Sequence, residues 1–544
     1  MGLRGDGFHM KIERRTQLVP AALLLACCLA GGPCAPPMAA AAAEFSGSQS
    51  VGRVARVYEL VEENFATVPD PDQAIYQGMI PGMLRTLDPH STFFDPKDYE
   101  ALREEQTEHY SGVGMSVGQR GDQTAVSAPF PGSPAYRAGI RPGDAIVAVN
   151  GQSVGGMNTS EVVDRLKGPR NTQVTVTVER EEANGINERL SFTLTREDIT
   201  RKTVHDAFWL RPGIAYMHIL SFGDYTAREV EQNLKRLGED RIEGLILDLR
   251  DNPGGLLSQA VEVAGHFLEK GQSVVSQRGR ASRERVYTAE RSSQGRRYPI
   301  VVLVNHNSAS AAEIVSGALQ DHDRAWILGE NTFGKGLVQT IFQLRDRTAL
   351  ALTTAHFYTP SGRLIQRDYS HESLYDYYFN EGRATHDTSD RRTTDGGRAV
   401  YGGNGIAPDE KYDSPRSDRL EFALDRTGLF SFTRAYFAAH PAKLSQGWMP
   451  DNDLIEQLHN YLLDHGYQFT EAEFTRDHDW IKRYLAREMY IWAFDVDESD
   501  RVFAMTDPEA AQAVDALAQA SALLEKGRVV VESRRPAPAP AGQR

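Results

Sequence analysis

The sequence predicts an α/β multidomain protein, with a β-rich domain set ahead of its core and helical regions at both ends. Three observations carry the prediction. From Gly213 onward, short apolar runs of strand length alternate with stretches of helical period, the pattern of successive βαβ units. Ahead of that core, residues 110–195 consist of short strands punctuated by glycine. Helical spacing returns on either side, over residues 51–108 and again from about Ser431.

The chain has 544 residues, several times the size of a single domain. With 40% hydrophobic and 25% charged residues it is neither collagen-like, coiled-coil nor wholly disordered. Its 60 basic against 74 acidic side chains and the lack of any long Lys/Arg run argue against nucleic acid as a partner.

Residues 1–44 read as an export signal. Lys11, Arg14 and Arg15 precede an apolar run over residues 18–30, and the small-residue stretch 39–43 follows. That run is too short to span a bilayer of about 30 Å. Two cleavage readings stand. Leu24-Leu25-Ala26-Cys27 resembles a bacterial lipoprotein box and would leave a lipid anchor on Cys27, whereas the alanine-rich stretch would release a soluble protein beginning near Glu44. Initiation at Met1 and at Met10 are both compatible with the pattern. The expected location is the periplasm or cell envelope. All three cysteines, Cys27, Cys28 and Cys34, lie in this segment, so the rest of the chain has no disulfide, thiolate metal site or cysteine nucleophile.

In the helical region 45–108, Val54, Val57, Tyr58, Leu60 and Val61 recur at helical spacing. Pro69-Asp70-Pro71 interrupts it, and a second periodic stretch over residues 74–87 stops at Asp88-Pro89. In the β-rich domain, 109–199, Ala145–Val149 ends in an Asn150-Gly151 turn, and residues 172–178 alternate as a half-buried strand does. The core, 200–430, reads as strands at 214–219, 244–249, 300–304 and 325–328, with helices at 226–237, 256–268 and 311–320 between them. Residues 367–404 are rich in Asp, Arg, Tyr, Thr and Gly without a sustained period and read as an inserted loop. The region 431–533 is helical and aromatic-rich, and the tail 534–544 is Pro/Ala-rich and reads as disordered.

Three motifs compete for the chemistry. Gly151-Gln-Ser-Val-Gly155 matches GxSxG, but the strand before it turns at Asn150-Gly151 and no helix starts tightly after it, as a nucleophile elbow requires. Gly329-Glu-Asn-Thr-Phe-Gly-Lys-Gly336 matches a phosphate-binding loop except that Gly336 replaces the Mg²⁺-ligating Ser/Thr, and a strand-like run follows where a helix is needed. The third is Ser310 with Lys335. Ser310-Ala-Ala-Glu313 has the form of a capping box, and the competing reading is that the serine only caps its helix. A serine at a helix N-terminus also lies beside free backbone N–H groups and the positive dipole end, which suit a developing oxyanion. Lys335 is bracketed by Phe333, Leu337 and Val338, and desolvation lowers a lysine toward the range of a base. Successive strand ends bring such residues to one sheet edge, making a serine–lysine dyad plausible.

Several segments together resemble the C-terminal processing peptidases, or tail-specific proteases, which are exported serine peptidases with an embedded PDZ domain. They are Leu87-Asp-Pro-His-Ser-Thr-Phe-Phe94, Tyr110-Ser-Gly-Val-Gly-Met115, the run from Gly132 to Asp144, Asp248-Leu-Arg-Asp-Asn-Pro-Gly-Gly255, Asn307-Ser-Ala-Ser-Ala-Ala-Glu-Ile314, the loop 329–339, Phe357-Tyr-Thr-Pro-Ser-Gly362 and Gly405-Ile-Ala-Pro-Asp409. The resemblance implies a crotonase-like α/β core with an inserted PDZ domain. It implies Ser310 as nucleophile, Lys335 as general base, Gln339 as the residue that holds the lysine, and an oxyanion hole from the N–H groups of Gly254 and Ala311. Ser111, Gly112, Val113 and Gly114 would capture the C-terminal carboxylate of an unstructured, apolar protein tail. No metal or other cofactor is implied, and the 15 histidines include no HExxH. Relatives often dimerise through helical ends, so a homo-oligomer is expected. The alternative from another class is a non-catalytic PDZ scaffold that keeps the fold, followed by a nucleotide hydrolase. Two features depart from the family pattern: the insert 367–404, which could gate the site or bind a partner, and the C-terminal helical region, expected to pack on the core or form a dimer contact.

Overall fold

The computed structural model describes residues 47–181, 187–205, 207–281, 283–291, 293, 295–370, 377, 387–440 and 443–534. The predicted signal 1–44, Cys27 and nearly all of the tail 534–544 lie outside the described residues. The chain divides at Pro71 into two units. The first contains the helix Gly47–Asn64, whose valines and leucines recur at three- and four-residue spacing. Among the described residues, no helix is long and apolar enough to cross a membrane.

The second unit is built on a six-stranded sheet. Its order is Phe208–Arg211, Ile214–His218, Gly244–Asp248, Ile300–Val304, Trp326–Gly329 and Glu410–Lys411. The first pair is antiparallel and the rest are parallel. The helices Thr226–Leu237, Leu257–Gly265 and Ala311–Asp321 lie between successive strands of the parallel run. Strand composition tells how the sheet is covered. Ile300-Val-Val-Leu-Val304 is apolar throughout and completely buried, as a strand packed on both faces must be. Ile300, Val302 and Val304 join the cluster formed with those three helices. Val301 and Leu303 face the other way, onto Ala510 and Ala513 of the helix Pro508–Asp515, Ala520 of the helix Leu517–Arg534, and Ala516 between the two. The C-terminal helices thus cover the second face of the sheet.

A second sheet was only partly legible. Leu337–Gln343 is a strand as expected, but it pairs with Ala349–Tyr358, which also pairs with Ser273–Arg278 and with the short strand Thr92–Phe94 inside the predicted helical region. Thr92-Phe-Phe94 is too short to display a period and is a strand because of what it pairs with. The insert likewise contains an antiparallel pair, Asp387–Thr393 with Ala399–Gly402. Asp-Thr-Ser-Asp-Arg-Arg-Thr has no apolar alternation. Tertiary anchoring replaces it: the Arg398 guanidinium lies 2.7 Å from Asp323 and also pairs with Asp409.

The β-rich domain is a sheet in the order Met115–Arg120, Gln123–Pro129, Ala145–Val149, Gln173–Glu181 and Asn187–Thr195, with the helices Pro134–Ala138 and Thr159–Leu166. Val174, Val176 and Val178 point into its core with Val126, Ile146 and Val162. Asp144 is buried and held by Arg180 at 2.7 Å. His109–Gly112 pairs with Glu197–Thr200 where the chain enters and leaves.

The helices of the C-terminal region gather around Leu458, Leu462, Ile481, Leu485 and Met489, with Trp480 stacked on Tyr484 at 3.9 Å. Trp492 instead packs on the β-rich domain, over Gly143, and Arg434 pairs with Glu181 at 2.9 Å. Gly143 has φ +86°, and a methyl there would lie 2.2 Å from the Trp492 ring. Gly143→Ala is therefore expected to lower stability by about 1–3 kcal/mol, from strain and overpacking together. In a thermal melt the same substitution should cost less in a Trp492→Ala background; equal costs would mean that the ring is not what the glycine accommodates.

Candidate active site

Ser310 follows the buried strand Ile300–Val304 and a loop, and directly precedes the helix Ala311–Asp321. Its backbone has φ 55° and ψ −110°, a positive-φ conformation unusual for a non-glycine residue. Strain of this kind collects at functional turns, and no sequence signal predicted it. Glu313 forms its part of the capping box, accepting the Ser310 N–H at 2.8 Å.

Glu313, visible in the sequence as a helix cap alone, connects the loop of Ser310 to that of Lys335. Its completely buried carboxylate also accepts the Gly334 N–H at 2.7 Å, the Lys335 N–H at 2.9 Å and the Thr332 hydroxyl. Thr332 in turn accepts the Ile406 N–H at 2.7 Å, which places the Gly405–Asp409 motif behind the lysine loop. The Phe333 N–H donates to Ser308 at 3.0 Å and ties the same two loops again. Burial raises the Glu313 carboxyl above its ordinary value, against the donors from Thr332, Lys335, Gly334 and Ser310. Four donors and no acceptor surround it, an arrangement that needs the ionised form.

Ser310, Lys335, Gln339 and Gly254 line one cleft of about 800 Å³. Burial lowers Lys335 below the ordinary amine value, opposed by the charges of Glu313 and Asp88. A methyl on Gly254 would lie 2.7 Å from Ser310 Cβ and 3.0 Å from the Ala311 nitrogen, so the Gly254 backbone runs against the start of the helix. The Gly254 N–H donates to Asn252 Oδ1 at 2.8 Å in this conformation. Gln339 departs from its expected partner: its Nε2 donates to the carbonyl of His90.

His90, inside the segment Leu87–Phe94, has no role implied by sequence alone. It lines the cleft, and its Nε2 lies 2.9 Å from the Tyr377 hydroxyl. Burial brings the imidazole down to about 4, helped by the Lys335 charge and opposed by Asp88, so it is neutral near pH 7. Asp88 holds the segment in place by accepting the N–H groups of His90 and Ser91 at 2.8 and 2.7 Å. Burial would raise the Asp88 carboxyl, but those bonds and the Ser91 hydroxyl keep it below its ordinary value. The motif Asp-Pro-His-Ser held the signal, because an aspartate two residues ahead of a turn is a local cap. Tyr377 had none, lying in an aperiodic insert.

Gly112, Val113 and Gly114 line a second groove, of about 580 Å³, beside Met115, Val117, Val163 and Leu166. Ser111 is set back from it, its carbonyl accepting the Gly168 N–H at 3.3 Å. Glu105, Glu108, Ser221 and Pro253 line both this groove and the cleft that holds Ser310 and Lys335, so the two adjoin. The competing motifs fare differently. Ser153 lies exposed in the two-residue strand Gln152–Ser153, which folds back on Val149. The glycine loop ending at Gly336 is followed by a strand, with no helix N-terminus to receive a phosphate.

Residues 213–371 match the model of peptidase family S41 and residues 126–180 that of the PDZ domain, a peptide-binding module. The carboxy-terminal-processing protease of Bartonella bacilliformis is 38% identical over 323 residues, 58% of this chain and 73% of that protein. The carboxy-terminal processing protease CtpA of Bacillus subtilis is 33% identical, covering 59% of this chain and 68% of that one. Among solved structures, the photosystem II D1 C-terminal processing protease is 29% identical over 68% of this chain and 88% of its own, with a TM-score of 0.36. The chain belongs to peptidase family S41 and is a PDZ-containing serine-type peptidase of the carboxy-terminal processing group.

Proposed function

We propose that this peptidase is exported to the periplasm or cell envelope and cleaves proteins whose apolar C-terminal tails its PDZ domain captures. Ser310 is the nucleophile and Lys335 the general base, on a crotonase-like core. The observation that carries the reading is that Ser310 and Lys335 share one cleft while a single buried carboxylate, Glu313, holds the backbones of both loops.

In this mechanism neutral Lys335 takes the proton of the Ser310 hydroxyl as its oxygen attacks the peptide carbonyl. The Ala311 N–H at the helix start stabilises the oxyanion, and the Gly254 N–H joins it when substrate draws it from Asn252. Lys335 returns its proton to the leaving amine. It then takes one from water, whose oxygen attacks the acyl-enzyme, and passes that proton to the Ser310 oxygen as the carboxylic acid product leaves, restoring the hydroxyl and the neutral amine. The alternatives of a scaffold and a nucleotide hydrolase give way to family membership. The pattern of residues 1–44 supports export, with lipidation at Cys27 and release near Glu44 as its two forms. Val117, Val163 and Leu166 make the groove apolar and favour apolar tail residues, and the Gly112–Gly114 backbone receives the terminal carboxylate.

The test gives the full chain two unfolded proteins that differ only in their last three residues, apolar in one and acidic in the other. Fragments are followed by mass spectrometry, and a fluorophosphonate reports the nucleophile. The apolar tail is expected to be cut about tenfold faster or more, corresponding to at least 1.4 kcal/mol of tail discrimination. The adduct is expected on Ser310, and chelators should have no effect. Equal cleavage of the two proteins would remove tail capture from the proposal; an adduct on another serine would remove Ser310.

A further inference from the structure

The C-terminal helices lie outside both matched family models, yet one of them reaches the loop behind the oxyanion site. We infer that Asp507 and Glu509, at the start of the helix Pro508–Asp515, are positioning residues that hold the loop 249–255 in its catalytic conformation by clamping Arg250. The inference rests on the proposed roles of Ser310, Ala311 and Gly254.

Arg250 Nη2 lies 2.7 Å from Asp507 and Nη1 2.8 Å from Glu509, while Nε donates to Asp248 at 3.0 Å. The guanidinium is thereby fixed from the sheet on one side and from the helix on the other. The helix does not depend on Arg250 for its own place: Ala510 and Ala513 are buried against Ile246, Val301 and Leu303. From Arg250 onward the loop is bonded step by step to the loop that carries Ser310. Asp251, at φ 57°, accepts the side chains of Asn305 and Asn307, each at 2.9 Å. The Asn252 carbonyl accepts the Ala309 N–H at 2.9 Å, and its Oδ1 accepts the Gly254 N–H. A shift of Arg250 is therefore passed to both proposed oxyanion donors. A misplacement of about 1 Å in such a site is enough to cost a hundredfold in rate.

Charge balance argues that the cluster is kept for positioning. Three carboxylates surround one guanidinium, and Glu509 Oε1 is buried without a hydrogen-bond partner. Such a surplus of buried negative charge costs stability. Glu509 faces Arg250 from the loop, Asp248 from the sheet, Asp507 on its own helix and Tyr412 beyond the last strand, while Arg483 lies 3.8 Å from Asp507. Burial lifts the Glu509 carboxyl to about 7, with Arg250 opposing and Asp248 and Asp507 adding to the rise. The clamp therefore carries its full charge only above neutrality.

The test uses the full chain as wild type, Glu509→Gln and the double variant Asp507→Asn/Glu509→Gln, with kcat and KM measured on a fluorogenic peptide across pH. The double variant is expected to lose about tenfold or more in kcat with KM nearly unchanged. The ratio of wild-type to Glu509→Gln activity is expected to approach one below about pH 6, where both side chains are neutral, and to widen above about pH 8. Melting temperature and tail binding check the fold. If loss of the Asp507 cap unfolds the double variant, Glu509→Gln decides the question alone, because it keeps both cap and shape. Wild-type kcat in the variants, or a ratio independent of pH, overturns the clamp. Activity retained by Ser310→Ala in the same assay would instead overturn the dyad on which the clamp rests.

Discussion

Alanine at Ser310 or at Lys335 is expected to lower kcat for peptide cleavage by about four orders of magnitude or more, and the double variant to fall no further than either single one. In the proposed mechanism nucleophile and base act as one unit. Without the lysine the hydroxyl keeps its proton, and without the hydroxyl the lysine has nothing to activate. Tail binding in the separate groove should survive in all three. The pH dependence follows from burial: the lysine must be neutral to act, and its folded value lies below that of an ordinary amine. Activity should therefore rise with pH and level off earlier than a solvated lysine would allow. The same shift affects stability. An amine whose folded value is depressed destabilises the fold at neutral pH, and this cost is relieved as pH rises from the folded value to the unfolded one. Lys335→Met should accordingly melt higher than wild type at pH 7 while being inactive, a trade of stability for function. A pre-steady-state assay with thermal melts alongside checks both. Turnover by Lys335→Ala within about a hundredfold of wild type would assign the base elsewhere, with His90, in the same cleft, the first residue to examine.

The core was legible because parallel strands buried on both faces are written as apolar runs, Leu245-Ile-Leu247 ahead of Asp248 and Ile300-Val-Val-Leu-Val304. Those runs do not say what covers each face. Helices on one side follow from the alternation of strand and helix, but the cover on the other comes from alanines at 510–520, two hundred residues away in sequence. The site was legible in part for a similar reason. Ser310, Lys335 and Gly254 stand in short glycine- and serine-rich motifs whose spacing is local. Glu313 was visible as a helix cap, but its three bonds to the lysine loop are contacts across 19–22 residues that no periodicity encodes. The direction of the Gln339 amide was also hidden, because the His90 carbonyl it meets is 249 residues away. The insert defeated the reading in another way: Arg398 and Tyr377 act through ion pairs and ring contacts in a stretch with no pattern at all.

Glu313→Ala should be the most damaging substitution of a residue that never touches substrate. It leaves the N–H groups of Ser310, Gly334 and Lys335 and the Thr332 hydroxyl facing a cavity at the centre of the site. Unsatisfied buried donors cost about 1–3 kcal/mol each and are not additive, so a total loss near 3–5 kcal/mol is expected in denaturant melts. Activity should fall by about a hundredfold beyond any loss of folded protein, because the two loops lose their common anchor. Glu313→Gln separates the electrostatic part from the structural one. The amide keeps the shape but presents its own donors to two of the four groups, so kcat should fall less than in the alanine variant. The Glu313 charge also holds Lys335 higher than burial alone would set it. Removing that charge lowers the lysine further, and the rise of activity with pH should move to lower pH even as the plateau drops. A simple loosening of the fold would lower the plateau and leave the limb where it was. A limb that stays in place, or full activity in either variant, would mean that the loops are held by the Phe333–Ser308 contact and that the carboxylate is only a helix cap.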